Sequence, residues 1–348
     1  MIIRTVRLIL QPQTGCMKKL LLPVLTVLAI LYLISCEENF DINAPYQDIT
    51  VVYGLLDQGS DSIYIKINKA FLGQGNVLEM AQIEDSSIYV NGLQATIEGW
   101  QGENMIQTYT LDTTMITDKD TGTFYNPYQL IYFTTYEPDQ NLQYRLNILV
   151  NDKQVTASTY LVNNFAIKKP SAGSQFVQFK PDTEGEVEWT SAKYGRRYEV
   201  VIRIKFKELW LNSPDTIDRY IDWSLGTRKS VDIKGGDDMN IIFANNSFYT
   251  ILESRVPYSD PSEEAEVYQR FTNGVDFIIS VAAEDLNTYM EVNEPSNSIV
   301  QDKPDYTNIS NGIGLFSSRF RNIRSKKIHP ETIENIKNLD DPDLKFVY

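Results

Sequence analysis

Cys36 is the residue whose surroundings most clearly specify a reaction. It closes the run Leu33-Ile34-Ser35-Cys36, which follows Met17-Lys18-Lys19 and fifteen mostly apolar residues, Leu20 to Ile34. A short basic segment, an apolar stretch and a small residue before a cysteine make a lipobox. The thiolate takes a diacylglycerol, and the amine freed by cleavage takes a further acyl chain. The run is shorter than the roughly 20 apolar residues of a spanning helix, carries Pro23 and is followed by Glu37-Glu38, so export with cleavage is expected rather than a membrane span. On this reading residues 1–16 are an extension upstream of a start at Met17, residues 17–35 are the signal peptide, and residues 36–47 are a tether.

Other chemistry-bearing patterns are sparse. The single histidine, His329, excludes any mechanism built on a histidine pair, and beside Pro330 it reads as a surface or packing residue. There is no Gly-x-Ser-x-Gly, no His-Glu-x-x-His and no phosphate loop, and Gly312-Ile313-Gly314 lacks the third glycine of a dinucleotide fingerprint. Asp118-Lys119-Asp120-Thr121-Gly122 begins like a calcium loop, but its glycine falls at position five and no glutamate stands at twelve, so a solvated turn is expected. Gly235-Gly236-Asp237-Asp238 reads as an acidic loop. Glu284-Asp285 and Glu291 with Glu294 could do acid–base work if two carboxyls converged and one were held protonated, but with 46 acids in the chain chance pairs are expected. No catalytic residue, metal site or cofactor is therefore assigned.

Aromatic side chains are the remaining candidates, because a ring face stacks on a sugar or peptide while a phenol hydrogen-bonds. Most of the 21 tyrosines suit strands and cores equally well. Trp189 is expected in a core. Trp210 and Trp223, set among Asn212, Ser213, Asp215, Asp218 and Asp222, are the expected exposed ligand-binding residues.

Composition narrows the class. At 42% hydrophobic and 22% charged the chain is globular in balance. Its 46 acidic against 32 basic residues give a net charge of −14. Loss of residues 1–35 removes Arg4, Arg7, Lys18 and Lys19 and no acid, which leaves the remainder more acidic still, so nucleic-acid binding is not expected. With Cys16 removed and Cys36 acylated, disulfides and thiolate metal sites are excluded.

The elements available to position these residues are strands. Ile49–Leu56 and Ser62–Ile67 are β-rich, and Ser87–Val90 with Leu93–Ile97 flank Asn91-Gly92, a strong hairpin signal. Leu142, Tyr144, Leu146, Ile148 and Val150 alternate, turn at Asn151-Asp152-Lys153 and return through Val155, Ala157 and Leu161, which means one buried face. Charge, proline and small residues at Lys168–Ser174 mark a break. Beyond it Val187-Glu188-Trp189, the series Tyr198, Val200, Ile202, Ile204, Phe206 and the series Val275, Phe277, Ile279, Val281, Ala283 repeat the pattern. Short helices are expected from an Asn246 cap through Leu252, and from Pro330 through Ile336. The expected fold is all-β, with tandem β-sandwiches: an immunoglobulin-like one at 48–166, a linker at 167–174, a fibronectin type III-like one at 175–325, and a tail with a short helix at 326–348.

The segments Ala282–Tyr289, Asn293-Glu294-Pro295-Ser296-Asn297 and Asn308-Ile309-Ser310-Asn311-Gly312-Ile313-Gly314-Leu315-Phe316, together with Thr50–Leu56 and the lipobox, resemble a family of Bacteroidota outer-membrane lipoproteins built on a domain of unknown function. The resemblance covers essentially the whole chain after Cys36, and Asn308–Phe316 is its most specific part. It implies a setting beside TonB-dependent outer-membrane transporters, with nutrient uptake as the corresponding role, and it supplies no catalytic residues. Glu37-Glu38 after the cysteine is similar to the signal for surface export in that phylum. Asp61-Ser62-Ile63, Asp112-Thr113-Thr114 and Asp215-Thr216-Ile217 are similar to its short O-glycosylation pattern, which makes Ser62, Thr113 and Thr216 the implied acceptors. The expected protein is thus non-enzymatic and lipid-anchored at the outer membrane, facing outward, where it binds a nutrient or docks on a TonB-dependent transporter. The alternatives are a carboxylate-dependent glycan hydrolase and an envelope assembly factor.

Overall fold

The computed structural model describes residues 47–72, 76–118, 120, 122, 125, 128–211, 214–256, 267–294, 305–339 and 344–347. Leu33–Cys36, the segment expected to be a lipobox, lies outside them. The first part of the described chain forms β1 (Gln47–Asp57), β2 (Ser62–Leu72), the short helices α1 (Val77–Ala81) and α2 (Glu84–Ser87), then β3 (Leu93–Gln101), β4 (Asn104–Thr110), β5 (Asp112–Ile116), β6 (Gln129–Thr135), β7 (Gln143–Val150) and β8 (Lys153–Tyr160). The second part forms β9 (Ile167–Lys169), β10 (Phe176–Val177), β11 (Glu184–Thr190), β12 (Arg197–Trp210), β13 (Thr216–Lys229), β14 (Asp238–Ala244), α3 (Asn246–Arg255), β15 (Val267–Ala282), α4 (Glu284–Asn293), β16 (Gly312–Ile328), α5 (Pro330–Lys337) and β17 (Phe346–Val347).

The fold is predominantly β, as expected. Period-two alternation sends every second residue to one face. Tyr198, Val200, Ile202, Ile204 and Phe206 are buried along β12, Leu146, Ile148 and Val150 along β7, and Val275, Phe277, Ile279 and Val281 along β15. The β7–β8 turn is the expected one: Asn151 and Asp152 adopt φ of 48° and 62°, the left-handed pair a tight hairpin requires.

The Asn91-Gly92 hairpin does not form. Ser87 ends a helical turn, residues 88–90 belong to no strand, and β3 pairs with β4 and β7 instead. Tertiary contacts decide this. Ile88 and Tyr89 are buried, and the Tyr89 hydroxyl lies 3.0 Å from Thr50 Oγ1 and donates to Asp48 Oδ1 at 2.8 Å, which ties the segment to β1. The cap of α3 is also displaced by one residue, from Asn246 to Asn245. The Asn246 side chain instead accepts from the Asp182 amide at 2.8 Å. In α5, Pro330 takes the first turn and His329 the cap, its Nδ1 accepting from the Glu331 amide at 3.3 Å.

There are two hydrophobic cores, but neither keeps to one side of the expected boundary, Val162 and Phe165 packing in the second, and the sheets are not separate. A ten-stranded sheet follows the order β13-β12-β15-β16-β1-β2-β6-β5, with β10 on β16 and β17 on β15. The first core lies between its β1–β2–β6 part and a four-stranded sheet, β4-β3-β7-β8; the second lies between its β12–β15–β16 part and a three-stranded sheet, β14-β11-β9. The expectation of two self-contained sandwiches is corrected accordingly. Residues 167–169, read as linker, are strand β9, and Ile309 and Phe316, assigned to the second sandwich, belong to the first core.

The joint is the parallel pairing of β1 with β16, Thr50 to Asp57 against Gly312 to Arg319. Asn311-Gly312-Ile313-Gly314 makes it possible. A Cβ at Gly314 would lie 2.0 Å from the Val52 carbonyl oxygen, and one at Gly312 would lie 2.7 Å from that of Thr50. Gly314 also adopts φ +117°, where side chains are strained. Asn308 completes the kink, donating to the Phe316 carbonyl at 2.7 Å and accepting from the Phe316 amide at 2.9 Å.

Gly314→Ala is expected to destabilise the protein by about 3 kcal/mol or more, combining positive-φ strain with a backbone clash, whereas Gly102→Ala, with φ +63° and no atom within 4 Å of the new methyl, costs about 1 kcal/mol. Chemical denaturation of both variants checks this, and equal losses would contradict it.

Burial pushes the phenols of Tyr132, Tyr144 and Tyr198 up to about 12 from the usual 10.0. The folded state then holds these protons when the unfolded chain begins to release its own. The associated stability is complete below pH 10 and is lost as pH rises toward 12. Denaturation midpoints should fall through that window in step with phenolate absorbance; a flat profile would count against the assignment.

Candidate functional site

The face of the large sheet turned away from the cores carries a groove, and its floor follows from strand register. One row across β12, β15, β16 and β1 is Arg197, Ala282, Arg319 and Asp57. The next row begins Glu199, Ser280 and Arg321. Long charged side chains flank a central strand that presents only a methyl and a hydroxymethyl group, and the difference in length leaves a depression.

Helix α4 supplies the wall. Leu286 and Met290 face a cavity of about 420 Å³ over these rows, and Leu286 with Tyr289 faces a second of about 440 Å³ over Tyr53 and Tyr64. The two share Leu55, Asp57, Leu286 and Arg319, so they form one continuous groove. The helix is held over the sheet edge by Glu284 to Arg196 at 3.3 Å, Glu291 to Lys229 at 2.6 Å and Glu294 to Arg197 at 2.7 Å, while Asp285 accepts from the Tyr306 hydroxyl at 2.5 Å. Each partly exposed pair contributes little energy by itself. Spread along the helix, they fix its orientation.

The tyrosine-rich half is ordered by its own contacts. Tyr53 and Tyr289 meet edge to face at 6.1 Å with their hydroxyls 3.5 Å apart. That hydrogen bond, helped by burial, pushes the Tyr53 phenol up to about 12. Tyr64 stacks on Phe133 at 6.1 Å and is 60% exposed, so its outer ring face is open. In the other half Arg197 is engaged by Glu294, and Arg319 lies 3.7 Å from Asp57. Arg321 is exposed and has no partner among the described residues.

A larger cavity of about 770 Å³ lies at the far end of β16, beside the loop 172–176. Its one buried charge, Lys326, donates to the carbonyls of Ser171, at 2.6 Å, and Ser174, and burial lowers its pKa. That amine is committed to holding the loop, which makes the groove the better candidate for a ligand.

The groove is not where the tryptophans were expected. Trp223 is 7% exposed and packs in the second core against Phe243 at 5.1 Å, so its expected role as an open platform is corrected. Trp210, at the end of β12, is half-buried, with an indole nitrogen that is buried and has no partner among the described residues. The alternation of β13 explains the misreading of Trp223: its sequence neighbours Asp222 and Ser224 are exposed on the opposite face.

The paired carboxylates are the groups that anchor α4. Lys229 and Asn287 hold the Glu291 carboxyl below its usual range, the opposite of what a general acid requires. The Gly235–Asp238 loop closes on Ser191 through the Gly236 and Asp237 amides. Of Asp118–Gly122, Lys119 and Thr121 lie outside the described residues, among which no cluster of three or more metal-ligating side chains occurs. Ser62, half-buried at the start of β2, lines the tyrosine-rich half of the groove; Thr113 in β5 and Thr216 at the start of β13 are exposed.

Sequence reasoning missed Tyr53, Tyr64, Tyr289, Arg319 and Arg321. The available signal was in β1, where Tyr53 and Leu55 are apolar on the face opposite the buried Val52 and Leu56, so the strand has no polar side.

No protein-family model matches the chain, and neither does any curated protein. Among solved structures it is similar to the C-terminal globular domain of an oligosaccharyltransferase from Pyrococcus abyssi, at 10% identity and a TM-score of 0.24 over 66% of this chain. The chain spans 45% of that structure's length, and a likeness of this size carries no functional argument.

Trp223→Ala is expected to destabilise the fold by about 3–5 kcal/mol, as truncation of a large core aromatic does. A variant that keeps its denaturation midpoint would return Trp223 to the surface.

Proposed function

We propose that this protein is a non-enzymatic, lipid-anchored envelope protein that binds a nutrient at the α4 groove or docks there on a TonB-dependent transporter. The observation that supports binding is the groove itself, a continuous recess combining open aromatic faces with an arginine unpaired among the described residues, on the outer face of a rigid sheet. Rigid sheets that present adaptable side chains are suited to recognition. The address rests on Leu33-Ile34-Ser35-Cys36, on the acids after it, and on the resemblance to Bacteroidota outer-membrane lipoproteins. Helix α4 and the Asn308–Phe316 kink lie among the segments that carry that resemblance, and the first walls the groove while the second sets the strand beneath it.

Two or three acyl chains on Cys36 suffice for stable anchoring where one is marginal. Cys36→Ala is therefore expected to release the protein from the outer-membrane fraction or stall it before processing. Native protein solubilised in detergent should co-purify with a TonB-dependent transporter, and deletion should impair growth on one nutrient class. An unmodified Cys36 by intact mass would contradict the anchoring. Broad envelope defects without nutrient dependence would replace the uptake role with an assembly role.

A further inference from the structure

We infer that the α4 groove receives an anionic oligosaccharide, with a sugar ring on Tyr64 and an acidic substituent on Arg321. This deepens the ligand-binding reading above and rests on it.

Three observations converge. First, the open ring face of Tyr64, braced from behind by Phe133, is a flat apolar platform with a wet rim, and Tyr53, Tyr289 and Ser62 surround it with hydroxyl groups. A pyranose has matching surfaces: one face of C–H groups and an equator of hydroxyls. Secondly, Arg321 is the cation of the groove that no carboxylate among the described residues engages. Arg197 is held by Glu294, and Arg319 is shared with Asp57. A guanidinium offers planar, paired donors that fit a carboxylate or sulfate group. In a chain of net charge −14 an uncompensated arginine in a recess is also the point to which an anion is drawn against the overall field. Thirdly, the strands from β12 to β2 are five consecutive members of one sheet, so the groove crosses about 19 Å at ordinary strand spacing. That length suits several linked sugars rather than a single one.

Glu199 gives this reading its selectivity. It lies across Ser280 from Arg321, so a ligand with negative charge at every unit meets repulsion two strands beyond the arginine. The favoured ligand carries its acid at one position and neutral hydroxyls elsewhere. A peptide of repeated acidic residues, with no polyhydroxyl ring for the tyrosines, fits less well.

The test is calorimetric titration of the purified chain, without its lipid, against four probes: a tetrasaccharide bearing one galacturonate, a heparin-derived sulfated tetrasaccharide, a neutral galactose tetrasaccharide and tetraglutamate. Binding of the tetrasaccharide bearing one galacturonate is expected, more tightly than the heparin fragment, the neutral sugar and the peptide, and weakening with added salt. Arg321→Ala should reduce that affinity by about tenfold, as loss of a charge-assisted contact does. Tyr64→Ala should reduce it several-fold, and Tyr268→Ala, an exposed tyrosine outside the groove, should leave it unchanged. All three positions are exposed, and unchanged thermal midpoints will show that the variants fold.

Equal binding of the neutral sugar with no effect of Arg321→Ala overturns the inference, as does preference for tetraglutamate or for the heparin fragment, or failure of the galacturonate tetrasaccharide to bind. If these failures occur while the native protein still fractionates with the outer membrane and its transporter, only the ligand class falls. If acidic sugar binds while anchoring and transporter recovery fail, the ligand class stands and the envelope role falls.

Discussion

The parallel pairing of β1 with β16 is the contact on which the rest of the structure depends. It joins the first strand of the described chain to the last long one, and it is permitted by two positions that admit no side chain, Gly312 and Gly314. Once β16 lies beside β1, its early residues complete the first core with Phe316, its later residues close the second with Ile328, and its outward-facing Arg319 and Arg321 form the groove floor. A single strand of 17 residues therefore serves both cores and the site. The Asn308 side chain, which pairs with both backbone groups of Phe316, spans the irregularity that the glycines introduce.

What could be read in the sequence is what local periodicity encodes. The alternations at Leu142–Val150, Tyr198–Phe206 and Val275–Val281 were legible because a half-buried strand must repeat every two residues. So were the Asn151-Asp152 turn and the Pro330 helix start, each set by a few adjacent residues. The β1–β16 joint was not legible, because no local rule states which strand lies beside which. The Asn91-Gly92 signal failed for the same reason: its turn propensity is real, Gly92 adopting φ +78°, but Tyr89 is claimed by β1. Trp223 was misplaced because in a strand the acidic neighbours describe the other face. The groove residues were hidden because period two reveals that a strand has two faces but not which of them a helix will later cover.

Charges in this molecule serve two purposes that burial separates. Glu208 is almost fully buried between Arg270 and Arg219, each 3.0 Å away, and Arg270 also donates to the Leu344 carbonyl at 3.1 Å. Such a cluster is costly to desolvate and strongly destabilising to break, so it serves to fix one arrangement of β12, β15 and the C-terminal residues. The pairs around α4 are exposed and individually weak, and they orient a wall without locking it. Arg321 belongs to neither group, which is why it stands out as a group available to something other than the protein itself.

The order in which the strands occur along the chain also constrains how the molecule is made. Thr50 and Gly312 are partners roughly 260 residues apart, and pairings so distant form slowly because the intervening chain must first be gathered. A chain that emerges from its N-terminal end, whether from the ribosome or through a membrane, presents β1 long before β16 exists to cover it. Its Val52 and Leu56 stay without Ile309 and Phe316 of the same core, and the edge of β1 stays open to other chains. The second lobe cannot close early either, since β16 is also its strand. The joint is thus among the last pairings that chain order allows, and until it forms the edge of β1 is the surface most exposed to pairing with another chain.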